Sequence, residues 1–468
     1  MPIPKDLHDL LTSLDGKNYK SYKVLQGKSF QFSLFILSFD HIQGDSFAAP
    51  SRLSLSTKLS KIGIFPELYN TATKRLAIED HLLRLIYKKI FALKDRVKGS
   101  GRSGEIAVQP PSQKVILRSG VKINDDSVTL ILFAGLPGIG RSVLAKECIR
   151  LFSELLPSIW KETLTTESID SNQLEESIKT LEDYFALREN LDKNDWVTFI
   201  ADDSHLPRQS GISDLPLEKN CIPFLSPNGL RAEVELPHKG KISGMAVPKG
   251  ITLIVGGGFH GKSTLLNAIQ SAIYPHARGD GRELIATNPT AVKIRAEDGR
   301  ASQPVNISGF MDDLPSVSST ETFSTQSASG STSQAINIIE ALEAESSLLL
   351  MDEDTCATNF MIRDSRMQAL IGNDREPITP LVDRIEEIYK KFETSTIIVM
   401  GGSGDYFDSA NCVIAMDSFL PKEVTQKAKQ IVKDNPTERK IGTRFSFPAI
   451  HQRFRDLTPL SFRRGNKE

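Results

Sequence analysis

Residues 252–266 read Thr-Leu-Ile-Val-Gly-Gly-Gly-Phe-His-Gly-Lys-Ser-Thr-Leu-Leu, and this stretch decides the fold. Its first four residues predict a buried strand, and the apolar periodicity after Lys262 predicts a helix over 263–273. Between them, residues 256–263 match the spacing of glycines, lysine and serine in a phosphate-binding loop. A strand, this loop and a helix in that order predict an α/β fold with a phosphate site.

Each residue type in the loop has a physical role. Glycines allow the main chain to turn its N–H groups inward around a phosphate. Lys262 can reach the outer phosphates, and Ser263 can place a hydroxyl on Mg²⁺. The helix that follows directs its positive end at the anion. The candidate phosphate-binding residues are Gly256, Gly257, Gly258, Phe259, His260, Gly261, Lys262, Ser263 and Thr264.

A second apolar strand is predicted over 347–351, and it leads into Asp352 and Glu353. A strand that ends in an acid beside a phosphate loop can deliver that acid to the metal ion of a bound nucleotide. We expect Asp352 to hold Mg²⁺ through water and Glu353 to polarise the attacking water. A solvated acidic turn is the alternative, but four apolar residues before it argue against that.

The segment from Ala328 to Thr332 reads Ala-Ser-Gly-Ser-Thr and precedes a predicted helix over 333–344, with 24 residues between Ala328 and Asp352. This segment resembles the signature sequence of ABC-class ATPases, and residues 354–359 resemble their D-loop. The resemblance implies that Ser329, Gly330 and Ser331 bind the γ-phosphate of an ATP held by a partner subunit. It therefore implies a homodimer with ATP at its interface. A Ser/Thr-rich linker is the alternative for residues 315–333.

More narrowly, the chain resembles the soluble "ATPase of the ABC class" family. The resemblance lies in 41–52, 201–211, 255–266, 292–300 and 401–406, and it extends to about residue 430. It implies ATP hydrolysis with Mg²⁺, and a weaker link to RNA or other nucleic acid. The fold class expected is α/β, a P-loop NTPase core of ABC-ATPase type with an N-terminal α/β region and a small α+β N-terminal segment.

The chain departs from ABC transporters at several positions. Where transporters have a histidine after the strand that follows the D-loop, this chain has Gly401-Gly402-Ser403-Gly404. Ser403 is a candidate catalytic residue, with a glycine nest or a simple turn as alternatives. No aromatic that could stack on adenine is evident near 234–240, where His238 is a weak candidate. Only 66 residues separate Lys262 from Ala328, so we expect a small helical subdomain and no transporter role.

Four regions are expected from the pattern along the chain. They are an N-terminal α+β segment over 1–104, an α/β domain over 105–229, the ATPase domain over 230–420 and a basic tail over 421–468. Residues 135–142 match the phosphate-loop spacing with Arg141 in place of lysine, and arginine is too bulky for the lysine's role. A tight strand-to-helix turn is the favoured interpretation there, and a second phosphate site is the alternative.

The end of a predicted helix over 71–98 is rich in cations. The nucleic-acid candidates on it are Arg84, Lys88, Lys89, Lys94 and Arg96. A solvated helix face is the simpler interpretation of such a run, and a surface for RNA or single-stranded nucleic acid is the alternative.

Composition limits the remaining possibilities. Of 468 residues, 39% are hydrophobic and 25% are charged, with a net charge of −1, so any nucleic-acid surface must be local. The four cysteines are isolated and predict neither a disulfide framework nor a zinc site. No apolar run approaches the ~18 residues of a membrane span. We therefore expect a cytoplasmic protein, with an organelle not excluded.

Three functions remain open at this point. The first is an ATP-driven dimeric clamp on RNA or other nucleic acid. The second is an ATPase that remodels a protein or a membrane-partner complex. The third is a low-turnover ATP-binding switch.

Overall fold

The computed structural model describes residues 1–93, 97–312, 314, 319–371 and 376–436. Two of the nucleic-acid candidates, Lys94 and Arg96, lie outside these residues. So does the basic part of the predicted tail, from residue 437 onward.

The N-terminal region is an antiparallel sheet with helices packed on it. The sheet order is β1-β2-β3-β6-β4, with β5 also paired to β6. Buried and less buried positions alternate along β3, as expected for a sheet with one face on the core. The strands are β1 (Ser29–Gln31), β2 (Ile36–His41), β3 (Ser51–Lys58), β4 (Ile106–Ala107), β5 (Val121–Asn124) and β6 (Ser127–Ala134). The helices are α1 (Lys5–Ser13), α2 (Pro66–Tyr69), α3 (Ala72–Phe91), α4 (Ala145–Arg150) and α5 (Leu156–Thr163).

The structure differs from the predicted boundary at residue 104. All eight residues of β3 pair with β6, so one sheet joins the segments before and after that boundary. Gly99 to Gly104, which suggested a linker, form a turn in which Arg102 N–H donates to Ser46 O. Strand pairing over such a sequence separation leaves no local signal in the chain.

The second glycine-rich loop is a small hairpin of β7 (Gly138–Ile139) and β8 (Ser142–Val143). A Cβ on Gly135 would lie 1.7 Å from the carbonyl oxygen of Arg102, so this glycine permits close packing. The hydroxyls of Tyr19 and Tyr22 donate to the carbonyls of Leu136 and Pro137 at 2.7 Å. Helix α4 begins only at Ala145, so no helix N-terminus faces the loop. The structure thus favours a packing turn over a second phosphate site.

A small antiparallel sheet follows α6 (Ser171–Lys193). Its order is β10-β11-β9-β13, formed by β9 (Trp196–Ala201), β10 (Arg231–Leu236), β11 (Gly240–Pro248) and β13 (Ile285–Thr287). The predicted boundary at 229 therefore differs from the structure, because β9, which precedes it, pairs with β11 and β13, which both follow it.

The central sheet has the order β14-β17-β18-β12-β19-β20, with all neighbours parallel except β19 and β20. Strands β17 and β18 are buried at every position, as expected for parallel strands covered on both faces. The strands are β12 (Ile251–Val255), β14 (Val292–Ile294), β17 (Leu348–Asp352), β18 (Ser395–Val399), β19 (Cys412–Asp417) and β20 (Leu420–Glu423). The helices are α7 (Lys262–Ser271), α8 (Gly330–Glu343), α9 (Thr358–Met361), α10 (Ser365–Leu370), α11 (Ile385–Phe392) and α12 (Thr425–Asp434).

The predicted α/β class is confirmed, but the expected helical subdomain differs from the structure. Among the described residues between α7 and α8, the chain forms β13, β14 and a hairpin of β15 (Arg300–Val305) and β16 (Phe323–Ala328). Within the parts of the chain that the structure describes, no helix is long and apolar enough to cross a bilayer.

Candidate active site

Strand β12 delivers the phosphate loop, residues 256–261, to the carboxyl edge of the central sheet, and α7 begins directly after it at Lys262. Gly256 has φ 137°, and a Cβ there would lie 2.5 Å from the carbonyl oxygen of Met416. Lys262 Nζ donates to the carbonyls of Gly256 and Gly257, at 2.8 Å each. The ammonium group therefore lies inside the turn of its own loop, where a phosphate chain would be held.

Two acids lie at the same edge, at the end of β17, which is separated from β12 by β18 in the sheet. Asp352, the last residue of β17, is 6% exposed, and its Oδ1 accepts from Asp354 N–H at 3.3 Å. Glu353 follows it and lies outside the buried strand. Because carboxyl ends of parallel strands meet at one edge of a sheet, both acids lie on the side of the phosphate loop.

The turn after β18 holds Glu353 through its main chain. Gly401 N–H and Gly402 N–H donate to Glu353 Oε2 at 2.5 and 3.1 Å. A Cβ on Gly401 would lie 3.7 Å from Glu353 Oε2 and 3.8 Å from Lys262 Nζ. The carboxylate, the two amides and the lysine ammonium thus form one cluster.

Ser403 is not part of this cluster. Its hydroxyl donates to Asp405 Oδ2 at 3.0 Å and accepts from Asp405 N–H at 3.2 Å. The structure therefore favours the glycine nest over Ser403 as the group that holds Glu353, which corrects the catalytic role expected for Ser403.

The signature residues cap a different helix. Ser329 is the N-cap of α8, and its Oγ accepts from Thr332 N–H at 3.4 Å. Ser329 is exposed and Gly330 partly exposed, whereas Ser331 donates to Asn359 Oδ1 at 2.9 Å. Among the described residues, no hydrogen bond joins residues 329–331 to residues 256–264 of the same chain. The N-termini of α7 and α8 are thus two separate helix ends within the described chain.

Two family models match the chain. The one described as the ABC_ATPase P-loop domain matches residues 170–453, and the one described as the N-terminal part of an ATPase of the ABC class matches residues 5–167. The chain belongs to the family of ATPases of the ABC class. The meeting point of the two matches, near residue 168, agrees with the division between the two sheets described above.

A curated relative of this ABC-class ATPase is distant in sequence. An uncharacterized protein of Methanocaldococcus jannaschii is 29% identical over 273 residues, which cover 56% of this chain and 58% of the relative. The matched segment therefore spans less than two thirds of that protein.

Two solved structures are similar at low identity. CbiO1 of the ABC transporter complex CbiONQ from Clostridium perfringens is 13% identical, with a TM-score of 0.32, over 52% of this chain and 97% of its own. An ATP-binding cassette of an ABC transporter, in its ADP conformation, is 12% identical, with a TM-score of 0.29, over 51% and 96% of the two chains.

An apolar cavity beside the phosphate loop was missed by sequence reasoning. It has a volume of about 130 Å³ and is lined by Gly261 and Thr264 together with Phe224, Met416 and Phe419, among others. Phe419 has φ 70°, its N–H donates to His260 O at 3.2 Å, and the preceding Ser418 N–H donates to His260 Nδ1 at 2.9 Å. The turn after β19 therefore fixes an aromatic ring against the loop.

The weak adenine candidate, His238, lies elsewhere. It is in the β10–β11 turn, where its N–H donates to Asp183 Oδ1 and its Nε2 lies 2.7 Å from Glu182. These contacts attach His238 to α6, so the cavity at Phe419 is the better location for a nucleotide base.

The cationic side chains of the basic helix α3 differ in whether they already form ion pairs. Arg84 forms a salt bridge with buried Asp80, and Lys89 forms one with Glu162. Lys88 is exposed and has no ion pair or hydrogen bond from its side chain among the described residues. A continuous nucleic-acid surface along α3 is therefore not favoured by the described part of the helix.

Proposed function

We propose that this ABC-class ATPase hydrolyses ATP in a Mg²⁺-dependent reaction at the carboxyl edge of its central sheet. The observation that carries the proposal is the cluster of Lys262, Glu353 and the Gly401–Gly402 amides, which brings a cation, an acid and main-chain donors together. Such a cluster fits phosphoryl transfer, in which positioning and electrostatic stabilisation supply most of the catalysis.

The loop amides of 256–261, Lys262 and the N-terminus of α7 bind the phosphates. Ser263 and Asp352 supply the oxygen ligands that Mg²⁺ prefers, one a hydroxyl and one a nearly buried carboxylate. When bound, Mg²⁺ neutralises charge that develops between the outer phosphates. Asp352 keeps its orientation because its own Oδ1 accepts from Asp354 N–H.

Glu353 accepts a hydrogen bond from the attacking water and so orients the lone pair of that water toward the phosphorus. The two glycine amides orient the carboxylate for that task. A carboxylate held by two main-chain donors needs no histidine after β18, which accounts for the glycine-rich turn found there.

The signature residues act on the ATP of a second copy of the chain. This is supported by the exposure of Ser329 at the N-terminus of α8, a helix end that favours an anion. The active form is therefore a homodimer with ATP at its interface, and the dimer acts as a clamp. RNA or another nucleic acid is the proposed partner, and this rests on the family resemblance.

The homodimer is tested with Glu353→Gln in the presence of Mg²⁺ and ATP. The glutamine keeps the shape of the side chain but cannot act as a base, so ATP should persist and hold two chains together. Sedimentation velocity should show a dimer for Glu353→Gln with ATP and a monomer for the double variant that also carries Ser329→Glu. A monomer in every condition would overturn the dimer proposal.

The nucleic-acid partner is tested separately through ATP turnover. A clamp on RNA should change its turnover several-fold when single-stranded RNA is added, and the effect should weaken with added salt. ATP turnover that does not change when RNA is added would favour a protein partner. ATP turnover that is scarcely lower in Glu353→Gln than in the parent chain would favour the low-turnover switch.

A further inference from the structure

A cavity of about 200 Å³ lies between the N-terminal region and the ATPase region, and none of its lining residues belongs to the phosphate loop. We call it the α3–α6 cavity because one face of each of these helices lines it. The third wall is the segment 276–278, which follows α7 closely and pairs with residues 113–115 of the N-terminal region. The volume equals roughly six water molecules in the liquid, which is room for a phosphate group and part of its substituent.

The charged lining of this cavity is mainly positive. The cations on it are Arg84, Lys88 and Arg278, and the carboxylate is Asp80. Asp80 is already neutralised, because Arg84 and Arg118 both form salt bridges with it at 2.5 and 3.0 Å. Lys88 and Arg278 are exposed, and their side chains have no hydrogen bond or ion pair within the described residues.

Two imidazoles line the same cavity, and each has an unpartnered ring nitrogen. His276 has a fully buried side chain, with Nδ1 2.6 Å from Asp280, and its Nε2 has no partner within the described residues. His81 Nε2 is also buried without a partner there, while His81 Nδ1 lies 3.0 Å from Ser177 Oγ. A buried polar atom without a partner costs free energy that a suitable ligand would recover.

The hydrogen-bond network defines which atoms carry protons. The Ser177 hydroxyl donates to Gln173 O at 2.9 Å, so its oxygen must accept from His81 Nδ1–H. Burial lowers the pKa of His81 to about 4. Among the smaller effects, the charge of Asp170 raises this pKa, and the charges of Arg278 and Arg84 lower it. His81 is therefore neutral near pH 7, with a lone pair on Nε2. Its ring then accepts a hydrogen bond rather than donating one.

We infer that the α3–α6 cavity binds a phosphate monoester group, with Lys88 and Arg278 on its charged oxygens and His81 Nε2 accepting from its remaining hydroxyl. Below about pH 6 a phosphate monoester keeps such a hydroxyl, since its second pKa is about 6. Sulfate and phosphodiesters have no proton to donate at this pH. The site thus distinguishes terminal phosphates from the diester backbone of a nucleic acid.

Binding of inorganic phosphate, measured by titration calorimetry on the full chain at pH 5.5, tests this inference, since the ligand keeps its hydroxyl and His81 stays neutral at that pH. The double variant Lys88→Ala/Arg278→Ala should bind roughly tenfold more weakly or worse, because two charge-assisted contacts are lost. Lys89→Ala is the matched control on the same helix, since the Lys89 ammonium already pairs with Glu162 of α5. Both substituted side chains are exposed, so the melting temperature of the double variant should stay close to that of the parent.

Lys262→Ala separates this site from the phosphate loop. Phosphate binding that survives Lys262→Ala, is lost in the double variant and is not reproduced by sulfate supports the inference. Binding lost only in Lys262→Ala, unaffected by the double variant, or equal for sulfate would overturn it.

The source of the phosphate is distinguished with short RNA oligomers that carry either a 5′-phosphate or a 5′-hydroxyl. A 5′-phosphate that strengthens binding to the parent, but not to the double variant, identifies a nucleic-acid end as the ligand. Equal binding of both oligomers, together with the phosphate result above, identifies a free phosphate compound.

Discussion

At the carboxyl edge of the sheet, Glu353 is held by the main chain of a glycine-rich turn. Sequence reasoning placed Gly401–Gly404 where transporters have a histidine, and it left a serine or a glycine nest open. The choice depends on where one hydroxyl points, and this is set by the turn conformation rather than by residue type. In the structure the hydroxyl of Ser403 bonds Asp405, and the amides bond Glu353.

Gly402→Ala tests this arrangement. A Cβ at residue 402 would lie 3.0 Å from Glu353 Oε1, which is closer than ordinary contact, so the carboxylate should move. We expect kcat for ATP to fall about tenfold or more with little change in KM, since binding is carried by the phosphate loop.

Ser403→Ala is the matched control in the same turn. Its hydroxyl does not contact Glu353, and we expect turnover within about twofold of the parent chain. A loss of turnover in Ser403→Ala as large as that in Gly402→Ala would show that the hydroxyl, and not the amide pair, supports catalysis.

At the scale of elements, local motifs were predictable and long-range pairing was not. The strand, loop and helix around 252–271 are continuous in sequence, and the acids follow directly on an apolar strand. By contrast, β3 pairs with β6, and β9 pairs with β11, although many residues separate the two strands in each pair. No local sequence pattern predicts either pairing. The aromatic next to the phosphate loop was missed for the same reason, because Phe419 lies more than 150 residues further along the chain.

Phe419→Ala tests whether the cavity at the phosphate loop receives the base of the nucleotide. The substitution removes apolar surface beside Gly261 and Thr264 but no phosphate ligand. We expect KM for ATP to rise about tenfold. Inhibition by inorganic tripolyphosphate, which has no base, should stay unchanged.

Phe91→Ala is the control for that substitution, since Phe91 is 83% exposed at the end of α3. An equal loss of affinity for ATP and tripolyphosphate in Phe419→Ala would mean that the substitution distorts the loop instead.

Leu206 and Pro207 line the cavity beside the phosphate loop, and the next residue, Arg208, anchors their segment through a buried ion pair. Arg208 donates to Asp280 Oδ2 at 2.6 Å, and both side chains are at least nine-tenths buried. Burial opposes ionisation of Asp280, but the hydrogen bonds and charges of His276 and Arg208 outweigh it and hold the pKa of that carboxyl below its usual value.

Arg208→Ala would leave Asp280 without the arginine of its buried ion pair. We expect the free energy of unfolding, measured with urea, to fall by about 3 kcal/mol. Lys241→Ala, which breaks an exposed pair with Glu233, should change the free energy of unfolding far less, because solvent screens that pair. Similar losses in the two variants would show that burial of the Arg208–Asp280 pair is of no special importance.

At the scale of the whole molecule, two sheets of different construction meet along α3, α6 and the segment after α7. Tyr184 of α6 donates from its hydroxyl to Ala272 O, directly beyond α7, so the phosphate-loop helix is connected to this interface. A change at the nucleotide site can therefore reach the N-terminal region through packed elements. This connection is the structural basis we propose for coupling ATP hydrolysis to a partner.

The central claim, hydrolysis of ATP at the phosphate loop, is tested most directly by phosphate release from ATP and Mg²⁺ for the parent chain and for Lys262→Ala. Lys249→Ala is the matched control, because Lys249 precedes β12 at the opposite edge of the sheet and pairs with exposed Asp195. We predict turnover by the parent chain and by Lys249→Ala, and a loss of about a hundredfold or more in Lys262→Ala. Equal phosphate release by the parent chain and Lys262→Ala would contradict the account.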